Sequence, residues 1–309
     1  MCGIIGFLDK TGNAAAPIGR VLLNMLTALG CRGPDSTGVA VFGSGDGLVL
    51  QVKLGERADF HAKADALLRR VEAVAPVRQH AVTAAYLRLV VDEGASPETL
   101  VEAIEGGGSE QVEVVSMGRR LEILKQVGSP EELEATFGIS RMVGTHGIGH
   151  TRLSTESRVD LSHSQPFWAH GMPDVATAHN GHITNYHKLR RIYEQRGVRF
   201  YTENDSEIIA VYLRDRLERG DSLEEALRAS LTDLDGSFCY VAATENALAF
   251  VKDPFGLKPL VVAETDEWVA IATEEIALRS ALGECFTAQE PGTRQMRVWG
   301  LPERALVTA

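Results

Sequence analysis

The sequence predicts an α+β protein in which two sheets pack face to face with helices outside. Three observations carry that prediction. The chain opens on a short apolar run at residues 2–8, closes on four more between residues 237 and 272, and carries amphipathic helical patterns between them.

Taken in order, the first run ends at Asp9-Lys-Thr-Gly-Asn13, a turn cluster, and reads as a buried strand. Over residues 17–29, Ile18, Leu22, Met25, Leu26 and Leu29 recur every three or four positions. Pro17 suits the first helical position and Gly30 the end, so this is a helix packed on the sheet. The runs 38–42 and 48–54 flank Gly43-Ser-Gly-Asp-Gly47 and read as a hairpin. That glycine cluster has neither the GxGxxG nor the GxxxxGK[ST] pattern and lies between strands, which excludes a phosphate loop. Residues from about 58 to 140 alternate helical patterns (58–74, 96–104, 130–137) with one strand-like run at 112–115 and read as an insertion. The insertion is acidic: from Asp92 to Gly138, eleven Asp and Glu face three Arg and Lys. It is expected to stand apart from the core and to dock or regulate a partner. Strands ending near His150 and spanning 175–178 follow, then helices over 185–196 and 206–219, the latter with Ile209, Leu213 and Leu217 on one face. The runs 238–243, 248–251, 260–263 and 268–272, with turn residues between them, read as an antiparallel meander. One domain over residues 2–292 and a tail over 293–309 result.

The 309 residues are 44% hydrophobic and 24% charged, the balance of a globular protein that buries a core without staples. The net charge of −11 repels phosphate backbones and anionic lipid, so neither nucleic acid nor a membrane is an expected partner. No apolar run approaches the roughly 20 residues of a membrane span, and the N-terminus does not read as a signal peptide. Four scattered cysteines suggest a reducing, cytoplasmic setting. Seven of the nine histidines fall between His146 and His187, yet none stands in a zinc-type spacing, and no metal is expected.

Chemistry centres on Cys2. Removal of Met1 would leave its α-amine beside its thiol, and an amine with a pKa of about 7.7–8.0 can take the proton of a thiol near 8.5, so one residue supplies nucleophile and base. Cys2-Gly-Ile-Ile-Gly, Arg32-Gly-Pro-Asp-Ser36, Gly149-His-Thr-Arg-Leu-Ser-Thr155, Gln165-Pro-Phe167, His179-Asn-Gly-His-Ile-Thr-Asn185, Asn204-Asp-Ser-Glu207 and Asp253-Pro-Phe-Gly-Leu-Lys-Pro-Leu260 occur in that order. Together they closely resemble the class II glutamine amidotransferase domain, an N-terminal-nucleophile hydrolase, over residues 2–60 and 144–292. The resemblance implies a four-layer αββα sandwich and glutamine hydrolysis through a Cys2 thioester. It implies an oxyanion hole at Asn180 and Gly181, glutamine binding by Arg152, Thr155, His179 and Asp205, and a glutamine loop carrying Arg32, Gly33, Asp35 and Ser36. Without it, Asn180-Gly181 would read as a turn and Asp205 as a helix cap. His182, Glu156-Ser157 and Cys31 depart from the commoner family pattern.

Resembling enzymes mostly carry a second catalytic domain that uses the ammonia, and no motif of one is recognised here. A separate synthase subunit is therefore expected, in a hetero-oligomer similar to glutamate synthase or N-methylglutamate synthase. FMN, with an iron–sulfur cluster as a further candidate, would sit on that partner and no cofactor on this chain. The alternatives are a free-standing amidase of another γ-glutamyl substrate and a catalytically silent regulatory subunit.

Overall fold

A computed structural model of the chain describes residues 2–45, 47–55, 59–107, 112–154 and 158–302. In chain order, strand β1 (Gly3–Asp9) leads to helix α1 (Ile18–Ala28), β2 (Ser36–Phe42), β3 (Leu48–Lys53), α2 (Phe60–Glu72), β4 (Val77–Thr83), β5 (Tyr86–Val91), α3 (Pro97–Glu105), β6 (Glu113–Gly118), β7 (Leu121–Val127) and α4 (Pro130–Phe137). The second half contains β8 (His146–Arg152), β9 (Phe167–Trp168), β10 (Ala176–Ile183), α5 (Tyr186–Gln195), α6 (Asp205–Glu218), α7 (Leu223–Asp233), β11 (Gly236–Thr244), β12 (Ala247–Lys252), β13 (Val261–Glu264), β14 (Trp268–Ala272), α8 (Glu275–Leu282), β15 (Ala288–Gln289) and β16 (Gln295–Gly300).

A seven-stranded sheet runs β15-β13-β14-β1-β8-β2-β7 and a five-stranded sheet runs β16-β12-β11-β10-β9. Strand alternation sends Ile4, Leu8, Ala40 and Phe42 inward to meet Ala178, Val241, Leu248 and Phe250 of the five-stranded sheet. Their neighbours Ile5, Val39 and Val41 face outward under α1 and α8. On the far side, Ile209, Leu213 and Leu227 cover Tyr240 and Ala242. The four-layer α+β sandwich is thus the fold, and burial of β1 and β2 on both faces explains why they read as continuous apolar runs.

Three expectations are corrected. Strands β2 and β3 do not form a hairpin. β2, buried along its whole length, pairs with β7 and β8, whereas β3 pairs with β5 and β6 in a third, four-stranded sheet ordered β4-β5-β3-β6. The glycine cluster carries the chain from one sheet to the other. The late apolar runs are not one meander either: β11 pairs with β12 and β13 with β14, but the two hairpins belong to different sheets. Residues 253–260, interrupted by Pro254 and Pro259, cross between them. Finally, part of the acidic segment belongs to the core. β7 is an edge strand of the seven-stranded sheet, and Leu124 and Leu133 are buried with α1. β4 escaped the sequence reading because it is an edge strand of largely exposed, polar residues.

Candidate functional site

Cys2 precedes β1, which lies mid-sheet between β14 and β8, so the nucleophile candidate hangs from one of the most enclosed strands. Its half-buried thiol accepts from the Leu153 backbone N–H at 3.3 Å and points at the Leu153 carbonyl at 3.6 Å. Two donors fix the Cys2 carbonyl oxygen, Asn180 Nδ2 at 3.2 Å and Arg32 Nε at 3.3 Å. Arg32 is paired in turn with Glu274.

Asn180 and Gly181 lie in β10, not in a free turn. The Asn180 Oδ1 faces His150 Nε2 at 3.1 Å. His150 is fully buried, and that burial pushes its pKa down to about 3, so it is a neutral imidazole at physiological pH. Its Nε2–H then donates to Oδ1, which fixes the amide orientation and turns Nδ2 toward Cys2. Gly181 has φ +130°, and a Cβ there would stand 2.1 Å from the Ser237 carbonyl oxygen. Only glycine lets β10 lie this close to β11.

Arg152 ends β8, is 4% exposed, and donates through Nη1 to the Arg158 carbonyl at 2.8 Å. Burial pulls its pKa below the ordinary arginine value, and Cys2, Asp160 and Asp35 nearby oppose the shift. Asp205 is the first residue of α6 and accepts from the Ile183 N–H at 2.8 Å. The helix cap is Asn204, whose side chain accepts from Ser206 N at 3.0 Å, so the expected capping role falls one residue earlier. His179 joins β10 to α6 through Nδ1 and Ser206 Oγ, 2.8 Å apart. Burial lowers its pKa to about 4, with Asp205 opposing the shift.

These groups surround one cavity of about 250 Å³. Cys2, Arg32, Arg152, His179, Asn180, Gly181 and Asp205 all line it. Gly33, Asp35 and Ser36 do not: they lie behind its wall, where Asp35 accepts from Ser154 N at 2.7 Å and Ser36 sits in β2 opposite Arg152. Thr155 falls outside the described residues. Lys258 and Pro259, which the sequence motif Asp253–Leu260 contains without giving them a site role, reach the cavity from the crossover between the sheets. Asp253 holds that crossover, accepting from Phe255 N at 2.6 Å, Gly256 N at 3.1 Å and Phe238 N at 3.0 Å. Gln165 was quoted only within a motif, yet it brackets the backbone of His179 at 2.7 and 3.0 Å. The clustered histidines disperse into the fold: His146 bonds Thr145 and Thr244, His163 Asp160, and His170 Glu105. Chemically, the cavity offers a half-buried thiol, an amide donor beside it, three cationic side chains (Arg32, held by Glu274, with Arg152 and Lys258) and the carboxylate of Asp205.

The profile of the family described as "Glutamine amidotransferase domain" matches residues 150–280. A Methanothermobacter thermautotrophicus protein carrying a glutamine amidotransferase name is 37% identical over 97% of this chain and 99% of its own length. The glutamine amidotransferase-like protein GlxB of Rhizobium meliloti is 36% identical over 99% of this chain and 97% of its own. An amidophosphoribosyltransferase of Methanocaldococcus jannaschii is 32% identical, but over 57% of this chain and 38% of that protein. Among solved structures, the B. subtilis glutamine phosphoribosylpyrophosphate amidotransferase superposes with a TM-score of 0.63 at 19% identity, over 97% of this chain and 47% of that one. At that identity the likeness speaks for the fold, and this chain spans about half of that structure's length. The end-to-end relationships at 36–37% identity decide the matter: this chain is a member of the glutamine amidotransferase family.

Proposed function

We propose that the chain is the glutaminase component of a two-part amidotransferase, hydrolysing glutamine through a thioester on Cys2 and passing ammonia to a separate synthase subunit. The observation that carries this reading is the arrangement at Cys2, with its thiol open to the cavity and the amide donor of Asn180 bonded to its own carbonyl. In the proposed cycle, the α-amine of Cys2, freed of Met1, takes the thiol proton, and the thiolate attacks the side-chain amide carbon of glutamine. The oxyanion takes the place of Thr273 Oγ1, 3.4 Å away, as acceptor for the second Nδ2 hydrogen of Asn180, and the Gly181 N–H donates to it as well. The C–N bond breaks as the α-ammonium returns its proton to the leaving nitrogen, and water then opens the thioester to glutamate. Arg152 takes the α-carboxylate of the substrate and Asp205 its α-ammonium, one opposite charge for each end of a zwitterion.

A separate acceptor is supported by the pattern of relatives, since the two matched end to end are named only for the amidotransferase function. We assign the acceptor to the glutamate-synthase-like class, N-methylglutamate synthase being the example favoured, in which ammonia meets a 2-oxoacid on an FMN-containing partner. The test is direct. Purified chain should release ammonia from glutamine, its intact mass should begin at Cys2, and Cys2→Ala should abolish turnover. Undiminished activity in Cys2→Ala, or an active enzyme that keeps Met1, refutes the mechanism. Mass spectrometry of the chain that co-purifies identifies the acceptor, and a partner that binds no flavin refutes that assignment.

A further inference from the structure

Residues 158–165, just beyond β8, hold the substrate-binding groups from behind. Toward the cavity, the Arg158 carbonyl accepts from Arg152 Nη1 at 2.8 Å. The His163 carbonyl accepts from Nδ2 of Asn204, the α6 cap, at 3.4 Å. Gln165 brackets His179 and donates to Ser206 Oγ at 3.2 Å. The turn is itself tied together: Asp160 Oδ1 accepts from the backbone and ring nitrogens of His163 at 2.9 and 2.8 Å, and the Asp160 carbonyl accepts from Ser164 Oγ at 2.7 Å. Away from the cavity, the described residues give it a polar anchor of a different kind. Lys53 and Glu113 are cross-strand partners at the end of the β3–β6 ladder, 3.5 Å apart, and Ser162 sits between them. Lys53 donates to the Ser162 hydroxyl, which donates to Glu113. All three side chains are nearly buried, so water does little to weaken the grip.

We infer that Ser162, gripped by Lys53 and Glu113, is a positioning residue for glutamine, through which the four-stranded sheet sets the places of Arg152 and of the α6 N-terminus. The inference rests on reading the cavity as a glutamine site. Removing the hydroxyl leaves Lys53 and Glu113 paired with each other, so the sheet keeps its fold while the turn loses its anchor. Arg152 and Asp205 hold parts of the substrate that do not react, so their misplacement weakens ground state and transition state alike and appears in KM.

Glutamine hydrolysis by the full chain tests this. Ser162→Ala should raise KM about tenfold, the scale of one hydrogen bond to a charged group, with kcat within about twofold. Ser162→Thr, which keeps the hydroxyl, should restore the parental KM. Ser230→Ala is the control: this fully buried hydroxyl bonds Leu227 and Tyr240 behind the five-stranded sheet, and its loss should lower the melting temperature without moving KM. Parental KM in Ser162→Ala, or an equal rise in Ser230→Ala, overturns the inference. Calorimetric titration of glutamine into Cys2→Ala, with and without Ser162→Ala, separates it from the functional reading. Hydrolysis by the parent with unchanged affinity in the double variant overturns the inference alone. A parent that neither binds nor hydrolyses glutamine overturns both.

Discussion

Gly181→Ala puts the tightest contact of the site under load. The added Cβ would lie 2.1 Å from the Ser237 carbonyl oxygen, against the roughly 3.3 Å at which carbon and oxygen rest, so β10 and β11 must part by more than about 1 Å. Backbone strain at φ +130° adds about 1–3 kcal/mol, and overpacking a further 1–3 kcal/mol, giving a loss of about 2–6 kcal/mol. With an unfolding entropy of about 2.1 cal/mol/K per residue, a chain of this length should melt about 3–9 °C lower. The same displacement moves the Gly181 N–H away from the proposed oxyanion position, and a shift of about 1 Å should cost on the order of 10² in kcat. KM should change less, because Arg152 and Asp205 stand on β8 and α6. Calorimetry and steady-state ammonia release measure the two effects. Gly197→Ala is the control, since it has a positive φ of 84° but nothing within 4 Å of its Cβ, and it should show the strain alone with parental kcat. A Gly181→Ala enzyme that melts with the parent and turns over at the parental rate would mean that β10 has slack, and the reasoning would be wrong.

Arg152→Lys and Asp205→Asn should mainly raise KM for glutamine, whereas Asn180→Ala should lower kcat by about 10²–10³; equal kcat losses with unchanged KM in all three would refute this division. Acid should destabilise the fold. Burial depresses His146 and His150 to about 3 and His179 to about 4, while the unfolded chain takes up those protons near 6.5. Stability is therefore fully present above about pH 6.5 and falls as the pH drops toward 4, each histidine losing about 1.4 kcal/mol per unit, or about 6 kcal/mol for the three at pH 5. The raised carboxyls of Asp174 and Glu207 offset part of that loss. Denaturant unfolding with no dependence on pH between 6.5 and 5 would reject the argument. Deleting residues 92–138 with a Gly-Ser bridge should leave no folded chain, because β7, Leu124 and Leu133 go with it; a soluble, active deletion product would show the core to be complete without them.

The fold class and the seven candidate residues that line the cavity were legible because the signals that mark them are local. A strand buried on both faces is an unbroken apolar run, and a motif read as a string stays a string in the fold. Strand partners are another matter. The runs at β2 and β3 are adjacent, apolar and joined by glycines, which satisfies every local rule for a hairpin, yet nothing in either run says that β2 will find β7 and β8 instead. The same holds for β12 and β13. Lys258 stands in a recognised motif, but its place at the cavity could not be read there because its approach depends on that crossover between sheets. Ser162 carries no local signal at all, since its partners lie on β3 and β6 and meet it only through tertiary packing.

The placement of β1 has a consequence for the order of events during synthesis. Cys2 leaves the ribosome early, but its seat is made by some of the later parts of the chain. Ile4 N–H donates to Thr273 Oγ1 at 2.8 Å, the same hydroxyl lies 3.4 Å from Asn180 Nδ2, and Glu274 holds the arginine that grips the Cys2 carbonyl. A nascent chain that has not yet delivered residues 268–274 therefore has a thiol but no site for it. On the proposed mechanism, Cys2 would act as a nucleophile only after the late strand β14 and the residues that follow it have joined β1 in the central sheet.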